Sequence, residues 1–128
     1  PDVLEIDAER FCALLEQKKG SLKAALMDQS LIAGIGNVYS DEILFQLPAH
    51  PGTDVNSLGE KELRKLYNTC QRVLKTAIRH HAKPEEMPSG YLLPRRDKDR
   101  RCPRCDGPLK KVKISSRSAV YCPHCQKK

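Results

Sequence analysis

Two Cys-x-x-Cys knuckles, Cys102-Pro-Arg-Cys105 and Cys122-Pro-His-Cys125, stand sixteen residues apart near the end of a 128-residue chain. Two residues between ligands let a tight turn aim both thiolates at one tetrahedral ion, and this separation suits a four-cysteine zinc site. Between the knuckles, Leu109 to Ile114 and Ala119 to Tyr121 are expected as two short strands, with Ser115, Ser116, Arg117 and Ser118 at the hairpin tip. So small a segment cannot bury enough apolar surface to hold itself, so one structural zinc ion is expected to supply much of its folding free energy. Two pairs at this spacing point to joint ligation rather than to a redox pair. Four thiolates also close the coordination sphere, which a catalytic zinc needs open. His124, inside the second knuckle, is then expected to meet solvent or phosphate rather than the metal.

Charge divides the chain in the same place. Residues 1–82 hold 10 Lys plus Arg against 11 Asp plus Glu, and residues 83–128 hold 13 against 5, so the net charge of +7 is carried by the last third. Clustered Lys and Arg gain affinity for a polyanion by displacing its condensed counterions, without reading sequence. A solubilising tail is the blander reading, weakened by the ordered metal motif within the same stretch. No apolar run reaches membrane-spanning length and the start does not resemble a signal peptide, so a cytoplasmic chain with no membrane partner is expected. Cys12 and Cys70 fall within helical apolar stripes and are expected as small core residues.

The first 82 residues have helical periodicity. Asp7 can cap a helix running through Phe11, Leu14 and Leu15 and stopping at Gly20; Ser21 opens a second, Leu22 to Met27. Gly34 and Gly36 imply a compact turn in which backbone comes close to something. Asn37 begins a third helix, with Val38, Ile43 and Leu44 inward and Pro48 marking its end. Ser57 and Glu60 form a capping box for a long helix whose stripe is Leu63, Leu66, Tyr67, Cys70, Val73, Leu74, Ala77 and Ile78. Pro84, Pro88, Gly90 and Pro94 break regular structure, and Arg95, Arg96, Lys98, Arg100 and Arg101 make that stretch basic. The expected fold is therefore mainly α: a helical domain over 1–82 built on helix, double turn and helix, a linker over 83–101, and a small four-cysteine β-hairpin zinc ribbon over 102–128.

The run LMDQSLIAGIGNVYSDEILF, Leu26 to Phe45, followed by His50-Pro51 and by a finger ending CPHCQKK, resembles the formamidopyrimidine-DNA glycosylase and endonuclease VIII family. The resemblance covers nearly all of this chain but only the C-terminal half of the family's architecture, the helix-two-turn-helix and the finger. It implies that Asn37, closing the GIGN turn after Gly36, binds a phosphate beside a lesion, and that Arg117, five residues before the third cysteine, binds another. Residue chemistry agrees, since a helix N-terminus beside glycines offers amides to an anion and an arginine can fork onto phosphate oxygens. A plain helix cap at Asn37 and a solvated Arg117 are the alternatives.

The resemblance further implies excision of oxidised bases from duplex DNA followed by cleavage of the abasic strand, in which an N-terminal proline amine attacks C1′ and a glutamate assists. Pro1, Asp2 and Glu5 loosely mimic the family's PELPE start. Yet the helical motif arrives by about residue 22, where the family places a large sheet-rich domain, so PDVLEIDAERF matches the interdomain segment instead. The expectation is a monomeric DNA-binding portion, partnered by damaged double-stranded DNA and by a missing N-terminal catalytic domain, and inactive alone. The PRRDKDRR run departs from the family's VYGR-like segment, so the family's lesion-loop contacts are not carried over to residues 88–101, whose basic residues are open equally to phosphate contact and to a solvated linker. A non-catalytic adaptor placing the ribbon on RNA or protein is the competing reading; similar ribbons end some tRNA-charging enzymes.

Overall fold

The computed structural model describes residues 2–80, 83, 87, 88, 90–95, 101–114 and 117–127. The expectations for Pro1, Pro84, Arg96, Lys98, Arg100, Ser115 and Ser116 lie outside the described residues.

Helix α1, Ala8–Glu16, starts where Asp7 accepts the amide of Arg10 at 2.9 Å and buries Phe11, Cys12 and Leu15. It ends before Gly20, at a Gln17 cap, and Lys18 beyond it pairs with Asp28. Helix α2, Leu22–Leu26, is capped by Ser21, whose hydroxyl accepts the amide of Ala24 at 3.2 Å. A double turn follows, in which Gly34 has φ +106°, a left-handed conformation that favours glycine. Helix α3 spans Asn37–Gln46 and helix α4 spans Glu60–Arg79.

The cap of α4 differs from the expected box. Gly59 is the N-cap, and Glu62 reaches back so that its Oε1 accepts the Gly59 amide at 2.8 Å. Ser57 instead closes a short 3₁₀ turn, Val55–Ser57, and its hydroxyl donates to the Asp54 carbonyl. Asp54 caps that turn, a local competitor the sequence pattern did not reveal. Along α4 the expected stripe is buried from Leu63 to Ala77, with Tyr67 half-buried, whereas Ile78 is 64% exposed. One residue past Ala77 the helix surface has turned away from the core.

The four helices enclose one apolar cluster, including Val3, Phe11, Leu15, Leu22, Leu26, Ile32, Ile43, Leu44, Leu63, Leu66 and Cys70. The ring of Phe11 meets that of Tyr67 edge-on at 5.3 Å. The Tyr67 hydroxyl donates to the Ile6 carbonyl at 2.7 Å, and the Gln71 amide donates to the Val3 carbonyl at 2.6 Å, which fastens the segment before α1 onto α4.

Strands β1, Lys110–Ile114, and β2, Arg117–Tyr121, pair antiparallel with Lys110 opposite Tyr121 and Ile114 opposite Arg117. Arg117 and Ser118 thus begin β2, where the sequence had suggested tip residues. A second apolar cluster gathers Phe45, Leu92, Cys102, Leu109, Val120 and Cys122. Helix α3 belongs to both clusters, since Ile43 and Leu44 enter the first and Phe45 enters the second. Burying Phe45 there contributes about 1.5–3 kcal/mol by area. From Ser40 to Phe45 every residue of α3 is buried, because α2, α4 and β2 flank it together.

Candidate nucleic-acid interface and metal centre

The sulfur atoms of Cys102, Cys105, Cys122 and Cys125 lie within 4.8 Å of one another. Cys102 Sγ is 3.8 Å from Cys125 Sγ, and Cys105 Sγ is 3.5 Å from Cys122 Sγ. Four thiolates about 2.3 Å from a tetrahedral zinc stand about 3.8 Å apart, so the set fits that ion. Each knuckle is a tight turn whose amides face sulfur. The amides of Arg104 and Cys105 donate to Cys102 Sγ at 3.3 and 3.4 Å, and that of Cys125 donates to Cys122 Sγ at 3.4 Å. Gly107 donates its amide to Cys105 Sγ, which holds that thiol below its usual range. Burial pushes the Cys122 thiol up and takes that of Cys125 up to about 12. A cation competing for these sulfurs must displace their protons. His124 is exposed and outside the cluster.

Gly36 is the N-cap of α3 and Asn37 is its first helical residue, which removes the plain-cap reading of Asn37. Space outside Gly36 is open: a Cβ built there would meet nothing within 4 Å, and its φ of −95° suits any residue. The glycine therefore leaves room for a ligand and is not demanded by the backbone. The first backbone bond of the helix runs from the Ser40 amide to the Gly36 carbonyl, so the amides of Asn37, Val38 and Tyr39 precede it, and no side chain among the described residues caps the helix. The first turn carries no acidic residue. Asn37 Oδ1 is buried with no hydrogen-bond partner among the described residues.

Arg117 is exposed on β2. The elements carrying Asn37 and Arg117 are joined through buried polar side chains. Lys23 (1% exposed) donates to Asp41 Oδ1 at 2.5 Å, to Ser40 Oγ at 2.8 Å and to the Asn37 carbonyl at 3.2 Å. The other oxygen of Asp41 (0% exposed) accepts the amide of Val120 in β2 at 3.1 Å. Its neighbour Glu42 accepts the amides of Leu92 and Leu93 at 2.9 and 2.7 Å, while burial pushes its carboxyl up against those bonds.

Further contacts bind the ribbon to α3 and the loop after it. The Arg104 guanidinium lies 4.4 Å over the Phe45 ring. Buried Gln126 accepts the Cys122 amide at 2.8 Å and donates to the Ala49 carbonyl at 3.0 Å. The His50 and Tyr121 rings meet edge-on at 4.7 Å. Sequence reading found the metal ligands and missed Lys23, Asp41, Glu42 and Gln126. The available signal was an Asp-Glu pair directly before the apolar Ile43–Phe45 of the same helix, where a buried charge needs a partner.

Comparison with known proteins agrees with this architecture. Residues 1–87 match the formamidopyrimidine-DNA glycosylase H2TH domain, and residues 101–128 match the zinc finger found in FPG and IleRS. The formamidopyrimidine-DNA glycosylase of Histophilus somni (strain 2336) is 37% identical over 122 residues, covering 88% of this chain and 45% of that protein. That of Solibacter usitatus is 33% identical, covering 100% and 52%. Among solved structures, the MutM (Fpg) protein from Thermus thermophilus superposes with a TM-score of 0.82 at 31% identity, covering 100% of this chain and 53% of that one. A complex of the Lactococcus lactis Fpg with DNA containing an abasic site gives 0.79 at 27% identity, covering 100% and 51%. The chain spans about half the length of the curated relatives it matches. With its H2TH helices and its four-cysteine zinc finger both matched, the chain belongs to the formamidopyrimidine-DNA glycosylase family.

Proposed function

We propose that this chain grips damaged duplex DNA by its backbone, as the DNA-binding portion of a base-excision glycosylase and lyase for oxidised bases. The observation that carries the reading is the N-terminus of α3. Asn37 is not its cap, three amides precede the first helical bond, no carboxylate stands in the first turn, and a side-chain-free Gly36 leaves access open. A phosphate there is favoured by the amides and by the helix dipole. Arg117, exposed at the start of β2 opposite Ile114, supplies the second contact from the ribbon. In this reading the base-excising and strand-cleaving chemistry belongs to the part of the relatives that this chain does not span, and the chain alone binds without cutting.

Fluorescence anisotropy with a duplex carrying an abasic analogue tests this. The chain is expected to bind, and Asn37→Ala or Arg117→Ala to weaken binding about tenfold each, the scale of a lost hydrogen bond to a charged group. Because the finger type is shared with IleRS, structured RNA is the informative competitor. Tighter binding to RNA than to duplex DNA, with neither substitution mattering, would support the adaptor reading instead.

A further inference from the structure

We infer that Asp41 is the positioning residue that sets the two phosphate-contacting arms relative to each other. The inference rests on the reading of Asn37 and Arg117 as those arms. One buried carboxylate is shared between the elements that carry them. Through Oδ1 it holds the Lys23 ammonium, which in turn donates to the carbonyl of Asn37 itself. Through Oδ2 it accepts the amide of Val120, three residues along β2 from Arg117.

The chemistry of this arrangement favours a fixed geometry. A buried ammonium has three donors, and Lys23 meets Asp41, Ser40 and the Asn37 carbonyl with them. Ser40 adds its own hydroxyl, donating to the same carbonyl at 2.8 Å. An ion pair withdrawn from water gains little net stability over an apolar pair of the same size, but it tolerates little displacement of its members. Around it, Glu42 fastens Leu92 and Leu93 to α3, and Arg104 and Gln126 fasten the ribbon to the carbonyls of Phe45 and Ala49, yet none of these bonds meets a residue of β2. Asp41 alone among these four reaches β2, through the Val120 amide, and also bonds the lysine that holds the first residue of α3.

The test combines Asp41→Asn with Arg117→Ala in a double-mutant cycle on abasic-analogue duplex affinity, using the zinc-loaded chain. Asparagine keeps the size and one acceptor but presents no anion to Lys23. Should Asp41→Asn not fold, Lys23→Met with Asp41→Leu fills the same volume with an apolar pair while removing the tie to Val120. In whichever variant folds with one zinc bound, duplex affinity is expected to fall about tenfold, and Arg117→Ala is expected to cost less than about threefold further, because the second arm is already out of place. Val73→Ala, a loss in the helical core away from both arms, serves as the control for general destabilisation and is expected to keep native affinity. Exchange of the Val120 amide in the free protein, followed by NMR, is expected to accelerate in the Asp41 variants and not in the control. Native affinity in a folded Asp41 variant, or full additivity with Arg117→Ala, would overturn the inference while leaving the proposed function standing. Absence of duplex binding by the native chain would overturn both.

Discussion

Lys18, just past α1, and Asp28, just past α2, form a part-exposed ion pair that positions the start of the double turn. Its hydrogen bond to Lys18, with a second from Ser30, lowers the Asp28 carboxyl from its usual 3.8 to about 2. A folded-state value below the unfolded one means that the pair's contribution is full above pH 3.8 and disappears as pH falls toward 2. A carboxyl NMR titration is expected to find Asp28 near the lower value in the native chain and back toward the upper one in Lys18→Met. At this scale the metal site was legible from sequence, because each knuckle's ligands are three residues apart and a local turn suffices to aim them. Lys23 and Asp41 were not. Each is an ordinary surface residue type, and what buries them is a partner fourteen or more residues away. Asn37 was singled out through family resemblance, and the structure adds that it is the first residue of α3, with Gly36 at the N-cap position.

Among the elements, α4 is the one its own periodicity specifies best, and Ile78 is where that periodicity misleads. The apolar repeat continues one residue beyond the core it faces, so burial stops at Ala77. Leu66→Ala is expected to destabilise by about 2–5 kcal/mol, whereas Ile78→Lys is expected to stay within about 0.5 kcal/mol of the native value; thermal unfolding followed by circular dichroism measures both. Helix α3 is the opposite case. With Ser40 through Phe45 all buried, this stretch turns no face to solvent, so neither its contact with two clusters nor the depth of Asp41 and Glu42 follows from a helical stripe. The cap of α4 shows a smaller version of the same limit. The sequence offered a Ser57–Glu60 box, but Ser57 ends the 3₁₀ turn Val55–Ser57 and Glu62 bonds the Gly59 amide instead.

Across the whole molecule, the ribbon is a small module stabilised from two sides, by its metal and by α3. None of the described helices is long and apolar enough to cross a membrane. Chelation of zinc is expected to disorder the hairpin and free Phe45, while α1, α2 and α4 keep their helical signal, because their cluster includes none of the cysteine ligands. Loss of all helical signal on chelation would show instead that the helical domain depends on the metal. The basic charge follows the ribbon, with Arg101, Arg104, Lys110, Lys111, Lys113, Arg117 and Lys127 all exposed. Such a surface predicts binding that responds to counterions. The direct test of a phosphate-gripping chain is therefore the salt dependence of its affinity for the abasic-analogue duplex, in native form and as Arg117→Ala. The prediction is a steep linear fall of log affinity with log salt, made shallower by about one unit in Arg117→Ala; affinity that does not change with salt, or an identical slope in the variant, would contradict it.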